Sequence, residues 1–267
     1  MLEYNFMQNA FIGGTIIAVI CGIISYFVII RRTAFAAHAL GHISLTGAAG
    51  AVLIGFSPMA GLLTVNIISA IIMGFIGDRI RKNDLAIGIV LTFFLGLGAY
   101  FLYLYQTGYS GGVMAIMFGD ILSVSTNQIY ILLFLSAIIL ITLLTISKPL
   151  LFSSFDPTLA MAKRIPIRFL SIVFFILLAI TVSMACQVVG ALLIFALLVG
   201  PGAIASQLCD GFYSSISLSI AVSVITVWLS LTISFYLNLP TSFCITMIIC
   251  ILYSLSVIKN KLSSNAR

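Results

Sequence analysis

FLSIVFFILLAITVSMACQVVGALLIFALLVGPGAIASQLC, residues 169–209, carries no charged side chain. About 20 apolar residues cross the roughly 30 Å hydrocarbon core of a bilayer, so this stretch holds enough chain for two crossings. The next basic residue after it is Lys259. Residues 169–258 therefore fit four spans, with turns expected near 185–187, 207–212 and 238–240. Working outward, residues 1–30 fit one span. Residues 33–78 fit two, turning near Ser57 and Pro58, and residues 83–147 fit two, joined by a long polar-flecked connection over 106–128.

The 12 Lys and Arg residues mark where these runs end. They form four clusters: Arg31 and Arg32; Arg79, Arg81 and Lys82; Lys148, Lys163, Arg164 and Arg168; Lys259, Lys261 and Arg267. One span precedes the first cluster and an even number separates each later pair, so every basic residue lands on one face. Basic residues gather on the cytoplasmic side of membrane proteins. The pattern predicts an all-α polytopic bundle of about nine transmembrane helices, eight to ten being compatible with it, as one domain over 1–267. The N-terminus is expected outside and the C-terminus in the cytoplasm. The segments 111–124 and around Pro201 are candidates for re-entrant or half-helices, which are tolerated where protein covers them.

Composition agrees. Of the 267 residues, 62% are hydrophobic and 7% charged, with a mean hydropathy of +1.29. Soluble domains carry about 25% charged residues, so a cytoplasmic enzyme, a disordered protein and a nucleic-acid reader are all excluded. The net charge of +6 reflects the one-sided basic loops. Five cysteines without CxxC spacing give neither a disulfide framework nor a thiolate metal site. The N-terminus has Glu3 and no basic residue before Arg31, so its first apolar run is expected to be a retained span and not a signal peptide. Gly and Ala are dense over 33–55 and 190–205, where small residues let helices pack closely.

Ionisable groups inside a span are costly and mark function by default. Both histidines fall in AHALGH, at His38 and His42. Four residues apart, they share one helix face and make a half-site for a first-row divalent metal. The alternative is packing, with one imidazole hydrogen-bonded to a neighbouring helix and the other interfacial. Ala39 stands where the zinc-protease HExxH motif has its Glu, so hydrolytic chemistry is absent. Asp120, in the long outer connection, is a candidate metal contact at the mouth of a cation path; capping a turn is the more ordinary role of such an aspartate. Gln187 is read as a polar turn residue able to line a path. Asp78 and Asp84 flank an inner basic cluster as solvated partners. Asp156-Pro157 reads as an N-cap followed by a first-turn proline, opening a short inner helix able to dock a cytoplasmic partner. No GxxxxGK[ST] loop occurs, so any ATP chemistry belongs to another chain.

Three ordered segments resemble the signatures of the bacterial zinc/manganese ABC-transporter permeases: AFAAHALGHISLTGAAGAVLIG at 34–55, FGDILSVS at 118–125 and VGALLIFALLVGPGAIA at 189–205. The resemblance implies a non-enzymatic, multi-pass subunit of the bacterial plasma (inner) membrane, paired as a homodimer. It also implies a cytoplasmic ATPase subunit, a periplasmic metal-binding receptor, and no cofactor beyond the transported ion. His42 matches the family's histidine, while His38 stands where many members have Asp. Carboxylate plus imidazole suits Mn, Fe or Zn, whereas two imidazoles lean towards Zn. Residues 203–214 match the family's inner loop facing the ATPase, here without its usual basic residues. The function expected is ATP-driven import of a divalent transition metal, zinc in the first place and manganese in the second, by alternating access at a homodimer interface. Two alternatives stand beside it: a secondary transporter for a small cation or solute, disfavoured by the lack of mid-span acidic or Lys relays, and a structural membrane subunit.

Overall fold

The structure, a computed structural model, describes residues 3–76, 83–104, 119, 121–191 and 193–265. Among them are ten α-helices: α1 (Asn5–Ile30), α2 (Ala34–Leu53), α3 (Pro58–Ile76), α4 (Asn83–Leu104), α5 (Thr126–Phe155), α6 (Pro157–Ala162), α7 (Ile167–Val189), α8 (Ile194–Leu208), α9 (Phe212–Leu237) and α10 (Thr241–Asn265). A 3₁₀ turn, Ile121–Ser123, precedes α5. Eight helices are long and apolar enough to cross a bilayer. The ninth expected crossing corresponds to α8, whose 15 residues reach about 22 Å at 1.5 Å per residue, short of the hydrocarbon thickness. The helix count falls in the expected range, and the Pro201 region is a short helix.

Helices α1, α2 and α7 form the centre. In α2, 72% of the span is buried, against 22% of α10. This follows from residue size: α2 reads AFAAHALGHISLTGAAGAVL, and its small side chains let neighbours close in from several sides. Helix α2 packs chiefly on α3 and α4, and α1 on α8 and α9. The outer helices turn large apolar side chains such as Phe93, Phe134, Leu144 and Tyr236 outward, each at least 66% exposed, as a lipid-facing surface requires.

Polar side chains fasten the central helices. Ser219 of α9 donates to the Gly22 carbonyl of α1 at 2.6 Å. The Gly202 amide of α8 donates to Ser25 of α1 at 2.8 Å, and Thr46 of α2 donates to the Phe94 carbonyl of α4 at 2.7 Å. Helix ends are closed by recognisable caps. At the end of α1 the Thr33 amide reaches the Val28 carbonyl at 2.9 Å, with Arg32 left-handed at φ 55°. Arg164 closes α6 in the same way, at φ 57°, with the Ile165 amide on Ala160 at 3.0 Å. This six-to-one pattern satisfies otherwise orphaned carbonyls.

The chain differs from the expected layout at three places. The turn expected at 185–187 lies later: α7 continues to Val189 and breaks at Gly190, φ 97°, because Ala185 and Cys186 are buried core residues that extend the helix. The 106–128 connection ends early, since Ser125 and Gln128 form a reciprocal capping box that starts α5 at Thr126. Its first part lies outside the described residues. The 203–214 inner loop is mostly helix: α8 runs through Pro201 to Leu208, and residues 209–211 alone link it to α9. The Asp156 cap stands as read, with its carboxylate accepting the Leu159 amide at 2.9 Å and the Thr158 hydroxyl at 2.6 Å. Those two donors hold the carboxyl below its ordinary range.

Candidate functional site

His38 and His42 come together as their spacing requires. Their ring centroids lie 4.6 Å apart, with planes crossed at 83°. His38 also meets Phe195 of α8 edge-on at 5.2 Å. Both imidazoles are half-buried, in a strip with Phe35 and Leu45 along the one face of α2 that the bundle leaves partly open. Leu40 and Ile43, on the other faces, are fully buried. The interactions of the two rings with described residues are these ring contacts; no described residue hydrogen-bonds their nitrogens. The packing alternative, in which one histidine bonds a neighbouring helix, therefore finds no such partner among the described residues.

The break between α7 and α8 borders this face. Gly41 allows the approach: a β-carbon there would sit 3.2 Å from the Ala191 carbonyl oxygen. On its other side the break meets Gly119, φ 72°, where a β-carbon would collide with the Gly190 amide. Gly119 and Gly190, at φ 72° and 97°, adopt conformations that L side chains avoid. A mostly apolar cavity of about 530 Å³ opens beside them, lined by Val189 and Leu193 of the break, Gly119, and residues of the α9–α10 hairpin that include Ser234, Thr241 and Thr246. Val189 and Leu193 line this cavity while Phe195, from the start of α8, meets the histidine face. Gln187 is not a turn residue. With Ser123 and Gln128 it lines a pocket of about 20 Å³, the size of a single water.

Asp120, Asp78, Arg79, Arg81 and Lys82 lie outside the described residues. Among the described residues no group of three or more His, Cys, Asp or Glu side chains gathers in one place.

Sequence reading missed the polar knot behind α2. Asn66 of α3 is fully buried. Its Nδ2 donates to Ser44 of α2 at 2.7 Å and to Ser183 of α7 at 2.9 Å. The two hydroxyl protons are already committed, Ser44 to the Leu40 carbonyl and Ser183 to the Leu62 and Ala179 carbonyls, so the serines face Asn66 as acceptors. Cys186 lies 3.4 Å from the Ser44 oxygen. Asn66 Oδ1 is buried without a partner among the described residues. The knot ties three helices two residues beyond His42. A lone Asn in the apolar run TVNIISA is its one trace in the sequence.

A bundle of apolar helices around a small-residue helix that bears a polar pair is the architecture of a multi-pass transport protein. Residues 3–260 match the model of the ABC 3 transport family, and the chain belongs to that family. It is similar to the manganese transport system membrane protein MntC of Halalkalibacterium halodurans, 30% identical over 96% of this chain and 88% of that one. The chelated iron transport system membrane protein YfeD of Yersinia pestis is 29% identical over 96% of this chain and 86% of its own length. Among solved structures, PsaBC from Streptococcus pneumoniae in complex with Fab superposes with a TM-score of 0.84 at 30% identity, covering 96% of this chain and 92% of that one.

Proposed function

We propose that this chain is the membrane-spanning subunit of an ATP-driven importer for a divalent first-row metal ion, and that the ion passes the open face of α2 at His38 and His42. The observation that carries the reading is the pair itself: two imidazoles 4.6 Å apart, free of hydrogen bonds to described residues, on the most buried span of the bundle. Imidazole nitrogens are ligands for such ions. Two protein donors leave most of a coordination shell open, which keeps binding weak enough for release. The relatives' names support the class of cargo, manganese for MntC and chelated iron for YfeD, and manganese is the first choice. Zinc is the second reading, because His38 replaces the carboxylate common at that position and two nitrogen donors favour zinc.

Energy comes from a separate cytoplasmic ATPase chain, since this one has no phosphate-binding loop. A receptor protein delivers the ion from outside, and two copies of this chain form the path between them. ATP binding in the partner shifts the outward- and inward-open populations through its differential affinity for the two states. The basic helix ends face the cytoplasm and the α9–α10 hairpin faces outside, which makes the cavity beside that hairpin an outer vestibule. Asp120 stands in sequence between Gly119 and Ile121, which line that cavity, and is the candidate acidic group at its mouth.

The test is uptake into vesicles containing this chain with its ATPase and receptor, supplied with Mn, Zn or Fe. ATP-dependent accumulation of one or more of these ions is expected, with manganese the most efficient. Accumulation driven by an ion gradient without the ATPase would point to a secondary transporter and overturn the reading.

A further inference from the structure

Arg31 follows the last residue of α1, at the end of the bundle that carries the basic residues. Its side chain is mostly buried between the ends of α5 and α7. Nη1 donates to Ser154 of α5 at 3.3 Å and Nη2 to Ser171 of α7 at 2.8 Å. The guanidinium carbon stands 5.2 Å from the centroid of the Phe174 ring. Nε is buried with no acceptor among the described residues. Burial lowers the guanidinium pKa to about 10, and no carboxylate offsets that effect; the group remains a cation at neutral pH. Asp156, two residues beyond Ser154, spends its carboxylate on capping α6.

A buried cation with unused donors is costly unless an anion completes it. The guanidinium N–H groups and the Ser171 hydroxyl, meeting at a helix-end notch, are the donor set for an oxyanion with several acceptor oxygens; the Ser154 proton is already given to the Leu150 carbonyl at 2.6 Å, and that serine only accepts from Arg31. The surroundings choose its source. The helix ends supplying the serines also carry Phe155 and Phe169, 74% and 61% exposed, and the adjoining α6 exposes Leu159 and Met161. Lys163, Arg164 and Arg168 are exposed on the same connection. Apolar side chains beside a basic notch at the membrane boundary suit acyl chains below a negatively charged headgroup, and basic pockets between transmembrane helices are known to hold such lipids.

We propose that the Arg31–Ser154–Ser171 notch is a binding site for the phosphodiester headgroup of an anionic phospholipid, which supplies the counter-charge that no described residue provides and staples the ends of α1, α5 and α7. Arg31 stands seven residues before His38, on the far side of the α1–α2 turn, and the site does not depend on which metal is carried.

The test uses the purified full chain in neutral detergent, with phosphatidylglycerol, phosphatidylcholine or inorganic phosphate added, read by retained lipid in native mass spectrometry and by thermal unfolding. Phosphatidylglycerol is expected to be retained and to raise the unfolding temperature, while phosphatidylcholine and inorganic phosphate do neither. Arg31→Gln should weaken phosphatidylglycerol retention about tenfold, as expected for loss of a charge-assisted hydrogen bond. Arg32→Gln, at the exposed neighbour, should leave it unchanged. If Arg31→Gln does not fold, Arg31→Lys and Ser171→Ala serve in its place, each expected to reduce retention. Equal retention by the parent and these variants would overturn the proposal. So would equal effects of the two lipids, or an inorganic phosphate shift matching that of phosphatidylglycerol, which would indicate a free-anion site. Stabilisation by the ATPase subunit that depends on Arg31 in the absence of lipid would assign the notch to a protein carboxylate instead.

Discussion

Replacing Asn66 tests the polar knot that fixes α2, and the expected order of variants is unusual. Asn66→Leu removes two interhelical hydrogen bonds, worth together about 1.2 kcal/mol at the ~0.6 typical within membranes. It also removes the buried, unpartnered Oδ1, whose burial costs about 1–3 kcal/mol. The serines keep their bonds to backbone carbonyls. The net change is therefore near zero. Asn66→Asp, closer in shape, should be far worse. It loses both N–H donors, regains at most one as a carboxyl O–H, and sets its remaining oxygen against a hydroxyl oxygen whose proton is committed elsewhere. In this dry site the introduced carboxyl must hold a proton, and at pH 7, about three units above its free value, that costs about 4 kcal/mol. The proton is bound in the folded state and not in the unfolded one, so stability falls as pH rises above about 4. Lowering the pH from 7 to 5 should restore roughly 2.7 kcal/mol. Thermal unfolding in detergent measures this: a shift of a few degrees or less for the Leu variant, and a fall of about 10 °C for the Asp variant at pH 7, largely recovered at pH 5. An Asp variant as stable as the Leu variant, or insensitive to pH, would refute the assignment of donors and acceptors in the knot.

The histidine pair makes a second prediction. His38→Asp should retain partial uptake and shift preference from zinc towards manganese or iron, since it exchanges a nitrogen for an oxygen ligand; competition between metals in vesicle uptake reads this out, and an unchanged preference would remove His38 from the path. Orientation makes a third. In variants lacking the native cysteines, a cysteine at position 164 should resist an impermeant reagent added to intact cells, and one at position 238 should react; the reverse pattern would invert the proposed topology.

The periodicity of charge carried most of the architecture. Arg31, Arg32, Lys163 and Arg164 sit at or beyond helix ends, and Lys148 and Lys259 within the last two turns of α5 and α10, because a bare cation within hydrocarbon is costly. The histidine face was legible as well, since i and i+4 share a face on any helix. The break after α7 was harder to place. Gln187 looks like a turn in sequence, yet Gly190 turns the chain, because a polar side chain is tolerated where it lines a water-sized pocket, and Gly190 and Gly119 need mutual close approach. Nothing local flags that contact. Asn66 was invisible for the same reason: its partners are 22 and 117 residues away, and a single amide leaves no periodic mark. Proline misleads at position 201, where a helix-breaking residue lies within α8, a context tolerated in membrane helices when neighbours re-satisfy the freed carbonyl.

The central claim is that a metal ion passes His38 and His42, and His42→Ala tests it most directly. Alanine is no burden to a span, and His42 has no hydrogen bond to a described residue to lose, so folded protein in the membrane should match the parent. Metal uptake per folded transporter, measured in vesicles with the ATPase and receptor present, should fall to background. If His42→Ala carries metal as well as the parent, the histidines are packing residues and the path runs elsewhere.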